Sequence, residues 1–237
     1  MHSIAILGAG MMGKVHARAY RAMNQKSSLW IVDPVASRAR VLAESYGAAV
    51  TSFEEVLEND GIDIVDICTP TFTHKDLAIS ALEVGKHVFC EKPVALKLGD
   101  ARAMDEAAGK SGMKFMVGHV VRFFPQYSVV KELSVARDIG EIVMARLYRG
   151  GSFPSHGIDN WFADPEKSGG VFVDLSIHDF DFLRKLLGPV TTVEARSSML
   201  SSDKKKSSFD HGMAILKFKS GALAHVEGSW AEPPGMP

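Results

Sequence analysis

The chain opens with a short apolar run that leads directly into a glycine-rich hexapeptide. Ser3–Leu7 has the composition of a buried β-strand, and Gly8, Gly10 and Gly13 follow it with G-x-G-x-x-G spacing. An amphipathic, helix-like run then starts at Met12. Strand, glycine turn and helix in this order predict a phosphate-binding turn, because the glycines permit a tight turn, a close backbone approach and close helix–strand packing. The helix N-terminus supplies free N–H groups to the phosphates.

An acidic residue follows the second predicted strand, where a dinucleotide-binding turn needs a partner for the ribose. Asp33 ends the next apolar run, Leu29–Val32, and lies 20 residues beyond Gly13. A carboxylate at this place accepts hydrogen bonds from ribose hydroxyls and repels a 2′-phosphate. The sequence therefore predicts dinucleotide binding with NAD favoured over NADP, although the nearby Arg38 keeps NADP possible.

The first half of the chain alternates short apolar runs with longer amphipathic ones. The predicted strands are Ser3–Leu7, Leu29–Val32, Ile64–Ile67, His87–Cys90 and Lys114–Val117. The predicted helices are Met12–Met23, Ala36–Tyr46, His74–Val84 and Leu98–Lys110. Strands separated by helices of this length are typical of βαβ units. We expect an α/β protein whose N-terminal domain, residues 1–118, is a Rossmann doubly wound parallel sheet.

The pattern changes after Gly118 to longer strands with alternating hydrophobicity. These predicted strands are Glu141–Arg149, Thr191–Met199, Gly212–Lys219 and Ala222–Ser229. Ser220-Gly221 between the last two is a hairpin signal. We expect a second domain, residues 119–237, of α+β type with an open and mainly antiparallel sheet.

Composition narrows the possible partners. The 237 residues are 46% hydrophobic and carry a net charge of −1, without the basic stripe of a nucleic-acid binder. Lys204–Lys206 lie in a Ser- and Asp-rich stretch that we interpret as a solvated loop. No 18-residue apolar run predicts a membrane span, and no residue cluster has convincing metal-ligand spacing. Cys68 and Cys90 each end an apolar run, which predicts buried free thiols. The N-terminus has no signal-peptide pattern, so a cytoplasmic location is expected.

Polar residues follow two of the predicted parallel strands. Thr69-Pro70 comes after Ile64–Ile67, and Glu91-Lys92-Pro93 comes after His87–Cys90. Ligands bind in the crevice at the carboxyl ends of such strands. A lysine there can orient a hydroxyl and share in proton transfer, but charged residues also mark the solvated exit of a strand. The residues alone leave both interpretations open, as they leave open a cis bond before Pro93.

A third segment combines an acid and a histidine at helical spacing. The pattern predicts a helix over Asp174–Leu187, with Asp174, His178, Asp181 and Lys185 on one face. One interpretation is a solvated face with an Asp181–Lys185 ion pair. The other is a proton acceptor, His178, oriented by Asp174.

Taken together, these segments resemble the Gfo/Idh/MocA family of NAD(P)-dependent oxidoreductases, which includes inositol and glucose–fructose type dehydrogenases. The likeness is carried by the glycine turn, Thr69-Pro70 with His74, Glu91-Lys92-Pro93, the Asp174 and His178 pair, and residues 118–127. It implies a C-terminal sheet that binds substrate on one face and pairs subunits on the other, as a homodimer or homotetramer. Family chains are longer, so we expect the final part of the second domain to be missing here.

The resemblance implies roles for individual residues. The catalytic residues would be Lys92, Asp174 and His178. The cofactor contacts, including those deduced above, would be Gly8, Gly10, Met11, Met12, Gly13, Asp33, Arg38, Thr69, Pro70, His74, Glu91 and Lys92. The substrate contacts would be Lys92, Arg122, Asp159, Asn160, Asp174 and His178.

The implied activity is hydride transfer between NAD(P) and a hydroxyl carbon of a sugar, an inositol or a related polyol. Two alternatives use the same scaffold. One is an NAD-dependent glycoside hydrolase, which would release an aglycone without net NADH. The other is a non-catalytic sensor of dinucleotide or sugar, for which loss of Lys92 or His178 would be expected, yet both are present.

Overall fold

The computed structural model describes residues 2–23, 27–155, 157–200 and 209–233. Lys204–Lys206 lie outside the described residues. The chain divides into two compact units, Met1–Gly118 and His119–Pro237. Among the described residues, no helix combines the length and the apolar character that a bilayer crossing requires.

The first unit is built on a six-stranded sheet in which every paired neighbour is parallel. Its strands are β1 (Ser3–Leu7), β2 (Ser28–Val32), β3 (Ala49–Val50), β4 (Ile64–Ile67), β5 (His87–Cys90) and β6 (Phe115–Val117). The strand order is β3-β2-β1-β4-β5-β6, so the sheet extends in both directions from β1. This is the doubly wound Rossmann arrangement, and the predicted α/β fold class is confirmed.

Helices cover both faces of this sheet. They are α1 (Met11–Met23), α2 (Ala36–Tyr46), α3 (Phe53–Glu58), α4 (His74–Glu83) and α5 (Leu98–Ser111). Two separate apolar clusters, one around Val65 and Leu82 and the other around Ile6 and Ile31, bury the two faces. Continuous apolar strands such as β1 are explained by this double burial.

In the first unit, the sequence pattern did not predict two short elements, β3 and α3. β3 has only two residues, too few to show any alternation. α3 begins with a capping box, in which Ser52 accepts from the Glu55 amide and the Glu55 carboxylate accepts from the Ser52 amide. That signal is readable in sequence, because Ser and Glu stand three residues apart.

The second unit has a mixed four-stranded sheet. Its strands are β7 (Met144–Gly150), β8 (Val190–Ser198), β9 (His211–Phe218) and β10 (Leu223–Ser229). Its helices are α6 (Pro125–Ala136), α7 (Pro165–Ser168), α8 (Gly170–Asp174) and α9 (Ile177–Leu187). The sequence pattern predicted neither α6 nor α7. In the order β7-β10-β9-β8, only the β7–β10 pair is parallel, so the expected mainly antiparallel sheet is confirmed.

Helix α9 packs on one face of this sheet and leaves the other open. Leu183 of α9 joins a buried cluster with Leu216, Phe218 and Val226 from β9 and β10. Burial alternates along β9, so that Met213 and Ile215 point to the opposite face and are about half exposed. The single-sided burial accounts for the alternating pattern seen in the sequence.

The predicted helix over Asp174–Leu187 is wrong at its beginning. α8 ends at Asp174 and α9 begins at Ile177, with Leu175 and Ser176 between them. The Ser176 amide bonds back five residues to the Val171 carbonyl, so the regular four-residue register is lost there. Angles of 100° per residue therefore cannot be carried from Asp174 to His178.

Candidate active site

The glycine turn has the backbone that a phosphate cradle needs. Gly8 has φ 101°, and a Cβ there would lie 2.8 Å from the carbonyl oxygen of Cys68. A Cβ on Gly13 would lie 1.9 Å from the carbonyl oxygen of Gly8. Neither position can hold a side chain, because the added carbon would meet backbone.

Gly10 differs from these two glycines. A Cβ placed there would find no atom within 4 Å, so this glycine faces open space at the start of α1. Backbone N–H groups at the beginning of a helix attract phosphate, and a bare glycine lets a pyrophosphate approach them. The turn therefore fits a dinucleotide. Met11, the next residue, is largely exposed, whereas Met12 is only partly so.

Asp33 closes the turn from the end of β2. Its Oδ2 accepts from the Ala9 amide at 2.8 Å, and its Oδ1 accepts from the Val35 amide at 2.8 Å. The half-buried carboxylate thus lies directly beside the glycine turn, where a ribose of a bound dinucleotide would need an acceptor. Arg38, in the first turn of α2, is exposed.

The Thr69-Pro70 turn lies against the glycine turn. The Thr69 amide nitrogen is 3.2 Å from the position of a Cβ on Gly8. Thr69 Oγ1 is hydrogen-bonded to Thr73 Oγ1 at 2.7 Å, and Thr73 Oγ1 also donates to the Pro70 carbonyl at 2.8 Å. These bonds fix the turn after β4.

His74 is buried and joins two turns. Its Nε2 lies 2.9 Å from the Thr69 carbonyl oxygen and its Nδ1 lies 3.0 Å from the Pro93 carbonyl oxygen. Burial lowers the pKa of His74 despite these backbone bonds. Because both ring nitrogens face backbone carbonyls, a role in cofactor binding stays a prediction and would operate through the turns that His74 holds.

Glu91 and Lys92 leave the end of β5 through a cis Lys92–Pro93 peptide bond. Glu91 is buried, and its Oε2 accepts from the Lys92 amide at 3.1 Å. Gly118 leaves room for this carboxylate, since a Cβ there would be 3.0 Å from Glu91 Oε1. The Glu91 side chain is therefore not a solvated strand exit but part of the interior.

Sequence analysis missed the partner of Glu91, which is His16 on α1. His16 Nε2 lies 3.1 Å from Glu91 Oε1, and His16 Nδ1 lies 2.8 Å from Asp66 Oδ2. Asp66 is fully buried in the centre of β4. A charged residue inside the apolar run Ile64–Ile67 was the readable signal, because a buried carboxylate requires a partner.

Opposite charges stabilise the contacts of His16 with Asp66 and Glu91. Burial alone would lower the pKa of His16, but hydrogen bonds to Asp66 and Glu91 outweigh it and raise the pKa to about 10. For Glu91, burial opposes ionisation, yet the bond to His16 brings its pKa below the usual value. At neutral pH an imidazolium thus lies between two carboxylates.

Two further groups border this cluster. Burial, reinforced by Asp66, raises the pKa of Tyr20, and burial also raises the pKa of the free thiol of Cys68. Cys68, His16 and Asp66 each offer one metal-ligand atom within 4.8 Å of the others. The 2.8 Å contact between His16 Nδ1 and Asp66 Oδ2 has the length of a hydrogen bond, so these side chains form a hydrogen-bonded cluster, and the expectation of no metal stays a prediction.

In the second unit, the acid and the histidine flank the interruption between two helices. Asp174 ends α8 and His178 lies in the first turn of α9, both half-buried. Ser176 between them is fully buried, and its Oγ would be 2.2 Å from a Cβ on Gly228 of β10. Gly228 therefore gives the interruption the space to approach the sheet.

The predicted substrate contacts in this unit have different surroundings. Arg122 donates to Asp181 from Nε at 2.6 Å and from its terminal nitrogen, so Asp181 pairs with Arg122. Asp159 and Asn160 are exposed and have φ of 52° and 53°, the left-handed region that these two residue types tolerate best among non-glycines. A contact of any of the three with substrate stays a prediction.

A buried ion pair that the sequence did not indicate anchors α9. Arg149 of β7 donates to Asp179 at 2.9 and 2.6 Å and to the hydroxyl of Tyr127 in α6 at 2.9 Å. The hydrogen bond to Asp179 raises the pKa of Arg149 further. Three elements of the second unit thus meet at one guanidinium.

Comparisons with known proteins agree with this architecture. Residues 2–119 match the family model described as an oxidoreductase family with an NAD-binding Rossmann fold, and residues 127–237 match the GFO/IDH/MocA C-terminal domain. The scyllo-inositol 2-dehydrogenase (NAD(+)) of Bacillus subtilis is 36% identical over 98% of this chain and 68% of its own length.

Solved structures give the same result. A myo-inositol dehydrogenase from Corynebacterium glutamicum superposes with a TM-score of 0.83 at 31% identity, over 97% of this chain and 68% of that one. GenD2 from gentamicin A biosynthesis, in complex with NAD, has a TM-score of 0.91 at 30% identity, over 99% of this chain and 67% of that one.

The parallel sheet, the glycine turn and the acid after β2 define an NAD-binding Rossmann oxidoreductase. The chain belongs to the Gfo/Idh/MocA family. NAD is its cofactor, and the family resemblance seen in the sequence is confirmed.

Proposed function

We propose that this protein oxidises a hydroxyl carbon of an inositol or a closely related polyol and transfers the hydride to NAD. The observation that carries the proposal is the glycine turn closed by Asp33, with the Glu91-Lys92-Pro93 turn at the carboxyl end of a strand in the same sheet. The inositol dehydrogenases among the relatives favour a cyclic polyol over an open-chain one.

The roles of the residues follow from their chemistry. NAD, when bound, would supply the acceptor for the hydride that leaves the carbinol carbon. His178 accepts the hydroxyl proton at an unprotonated ring nitrogen, and Asp174 orients the imidazole and stabilises its charged form. Lys92 donates a hydrogen bond to the oxygen as it becomes a carbonyl. Lys92 belongs to the first unit and the other two residues to the second, and their joint action on one hydroxyl is part of the proposal.

NAD is preferred over NADP in this proposal. The Asp33 carboxylate beside the turn carries a negative charge where a 2′-phosphate would have to lie, and it would repel that phosphate. The exposed Arg38 is the nearest counter-charge along the chain that could offset this repulsion. The assay below therefore includes both cofactors.

We also propose a homo-oligomer built on the open face of the second sheet. Half-exposed apolar residues lie on neighbouring strands of this face, and they are Met144, Met213, Ile215 and Leu223. Such a patch favours an interface between copies of the chain. A cytoplasmic location is a further proposal, supported by the two free thiols.

The experiment is a 340 nm assay of NAD and NADP reduction against a panel of inositols, other polyols and sugars. Replacing His178→Ala should lower kcat by about 10²–10⁴-fold, because a general base contributes that much, while NADH affinity stays unchanged. His2→Ala is the matched control, since the His2 side chain is 75% exposed.

Other outcomes would separate the alternatives. Intact turnover in His178→Ala would remove His178 from the mechanism. Release of an aglycone from a glycoside without accumulation of NADH would indicate the hydrolase. NADH binding without turnover of any panel compound would indicate the sensor.

A further inference from the structure

One buried side chain connects the glycine turn to the Glu91-Lys92-Pro93 turn. His16 lies one turn into α1, the helix that the glycine turn opens. Its two ring nitrogens contact carboxylates from two different strands, Asp66 in β4 and Glu91 after β5. The His16 side chain is 12% exposed and the Asp66 side chain is fully buried, so this three-residue cluster lies in the interior. We call these three residues the His16 bridge.

The bridge continues through Glu91 to Lys92. One oxygen of the Glu91 carboxylate faces His16 at 3.1 Å, and the other accepts the Lys92 amide at 3.1 Å. The Glu91 amide in turn donates to the Ile67 carbonyl at 2.9 Å, which fixes the start of the turn to β4. A displacement of the carboxylate would therefore move the backbone from which the Lys92 side chain leaves.

The surroundings of His16 hold it in one orientation. The Phe89 ring lies 5.6 Å from the imidazole, between centroids, and Cys68 Sγ lies 3.2 Å from Nδ1. Asp66 is fixed independently on β4, which pairs with β1 and β5. The imidazole thus transmits the position of the central strands to the Glu91 carboxylate.

We propose that His16 is a positioning residue for Lys92: clamped between Asp66 and Glu91, it sets the Glu91 carboxylate that holds the Lys92 backbone. This inference rests on the proposed function, because it concerns the lysine assigned there to the substrate oxygen. Both ring nitrogens must donate at once for the clamp to hold, which requires the imidazolium form. The raised pKa of His16 provides that form at neutral pH.

The experiment is a double-mutant cycle of His16→Gln and Lys92→Met, measured by kcat, KM and NADH affinity from fluorescence titration. Glutamine can donate to one carboxylate but cannot bridge two. We expect His16→Gln to lower kcat by about tenfold or more with NADH affinity nearly unchanged, and to cause no further loss in the Lys92→Met background. Non-additivity of this kind identifies a residue that acts through the lysine.

Four results would overturn the positioning role. Equal losses from His16→Gln in both backgrounds would show that His16 acts independently of Lys92. A fall in NADH affinity as large as the fall in kcat would show general damage to the glycine turn. A loss of kcat caused by Lys92→Met but not by His16→Gln would show that His16 does not position the lysine. No loss of kcat from Lys92→Met would show that the lysine has no part in the proposed function either.

A second variant and a second measurement cover the possibility that His16→Gln does not fold. Glu91→Gln keeps the shape of the side chain and removes its charge, and we expect the same Lys92-dependent loss of kcat. NMR titration of the His16 ring in the unliganded protein needs no activity. The titratable groups around the ring are Asp66, Glu91, Tyr20, Cys68 and, beyond Glu91, Lys92 and Cys90.

We expect the His16 imidazolium to persist well above its ordinary range in the wild-type protein and to titrate lower in Glu91→Gln. Titration of the wild-type ring near the ordinary histidine value of about 6.5 would overturn the clamp.

Discussion

The two units hold their polar groups in different ways. In the first unit, Asp33, Asp66 and Glu91 lie on or just after parallel strands, and each is fixed by contacts with a neighbouring element. In the second unit, Asp174 and His178 lie on α8 and α9, on either side of an interruption at Leu175 and Ser176. The topology of a parallel sheet brings together residues at the carboxyl ends of its strands. Residues beside an interrupted helix are placed by local packing.

The largest effect should come from the buried ion pair of the second unit. Arg149→Met leaves the Asp179 carboxylate, whose side chain is 2% exposed, without its partner guanidinium. Breaking a buried pair on one side costs about 3–5 kcal/mol of unfolding free energy. Urea unfolding followed through Trp230, in the second unit, measures it.

The matched control in the same unit is Arg122→Met. The Arg122 side chain is 41% exposed and that of Asp181 12%, so this pair is more open to solvent than Arg149–Asp179, and we expect a smaller loss of about 1 kcal/mol. If both variants lost the same stability, α9 would not be anchored mainly through Arg149, and the contrast between its two ion pairs would be lost.

The second prediction tests whether the glycine turn is as rigid as its contacts indicate. Gly13→Ala places a carbon 1.9 Å from the Gly8 carbonyl oxygen, so the turn or α1 must shift. Overpacking of this kind costs about 1–3 kcal/mol. Unfolding of the first unit, followed by hydrogen exchange of the β1 amides, should show the loss.

Gly10→Ala separates folding from binding at the same turn. Because a Cβ there meets nothing within 4 Å, we expect stability within about 0.5 kcal/mol of wild type. NADH affinity should nevertheless fall, because the methyl group occupies the space that a pyrophosphate needs. Equal stability loss in both variants would mean that the two glycines serve the same purpose.

The same contrast between the two units decides how much of the fold and of the candidate site could be predicted from the sequence. β1, β4 and β5 were predicted with the bounds that the structure has, because double burial makes them short, mostly apolar runs bounded by turn residues. The glycine turn and Asp33 follow from the same pattern. The grouping of polar residues at the carboxyl ends of these strands needs only the parallel topology.

The second unit shows where such reasoning fails. The amphipathic pattern is the same on both sides of the interruption, so periodicity extends the helix through Ser176. The interruption lies where Ser176 approaches Gly228, about 50 residues later, and no local signal contains that contact. The Arg149–Asp179 pair is missed for the same reason, since β7 and α9 are distant in sequence.

His16 illustrates an intermediate case. Asp66 inside an apolar strand required a buried partner, but the candidates were numerous, and only the tertiary contact between the His16 and Asp66 side chains selects His16. The charged partner was therefore predictable as a type of residue and not as a position.

The most gradual effect, and the most specific, is the pH dependence that His16 gives to the first unit. Its folded pKa of about 10 lies above the unfolded value of about 6.5, so the folded state binds the proton more tightly. This contribution to stability is complete below about pH 6.5 and is lost as the pH rises towards 10.

The difference in unfolding free energy between wild type and His16→Gln should therefore shrink with rising pH, by at most about 1.4 kcal/mol per pH unit. Hydrogen exchange of the α1 and β4 amides between about pH 6.5 and 9 measures it, below the range in which the thiol of Cys68 would ionise. His2→Gln, at an exposed position, should show no such trend. A constant difference over this range would mean that His16 is neutral in the folded protein, and the charged clamp at the strand ends would have to be replaced by a single hydrogen bond.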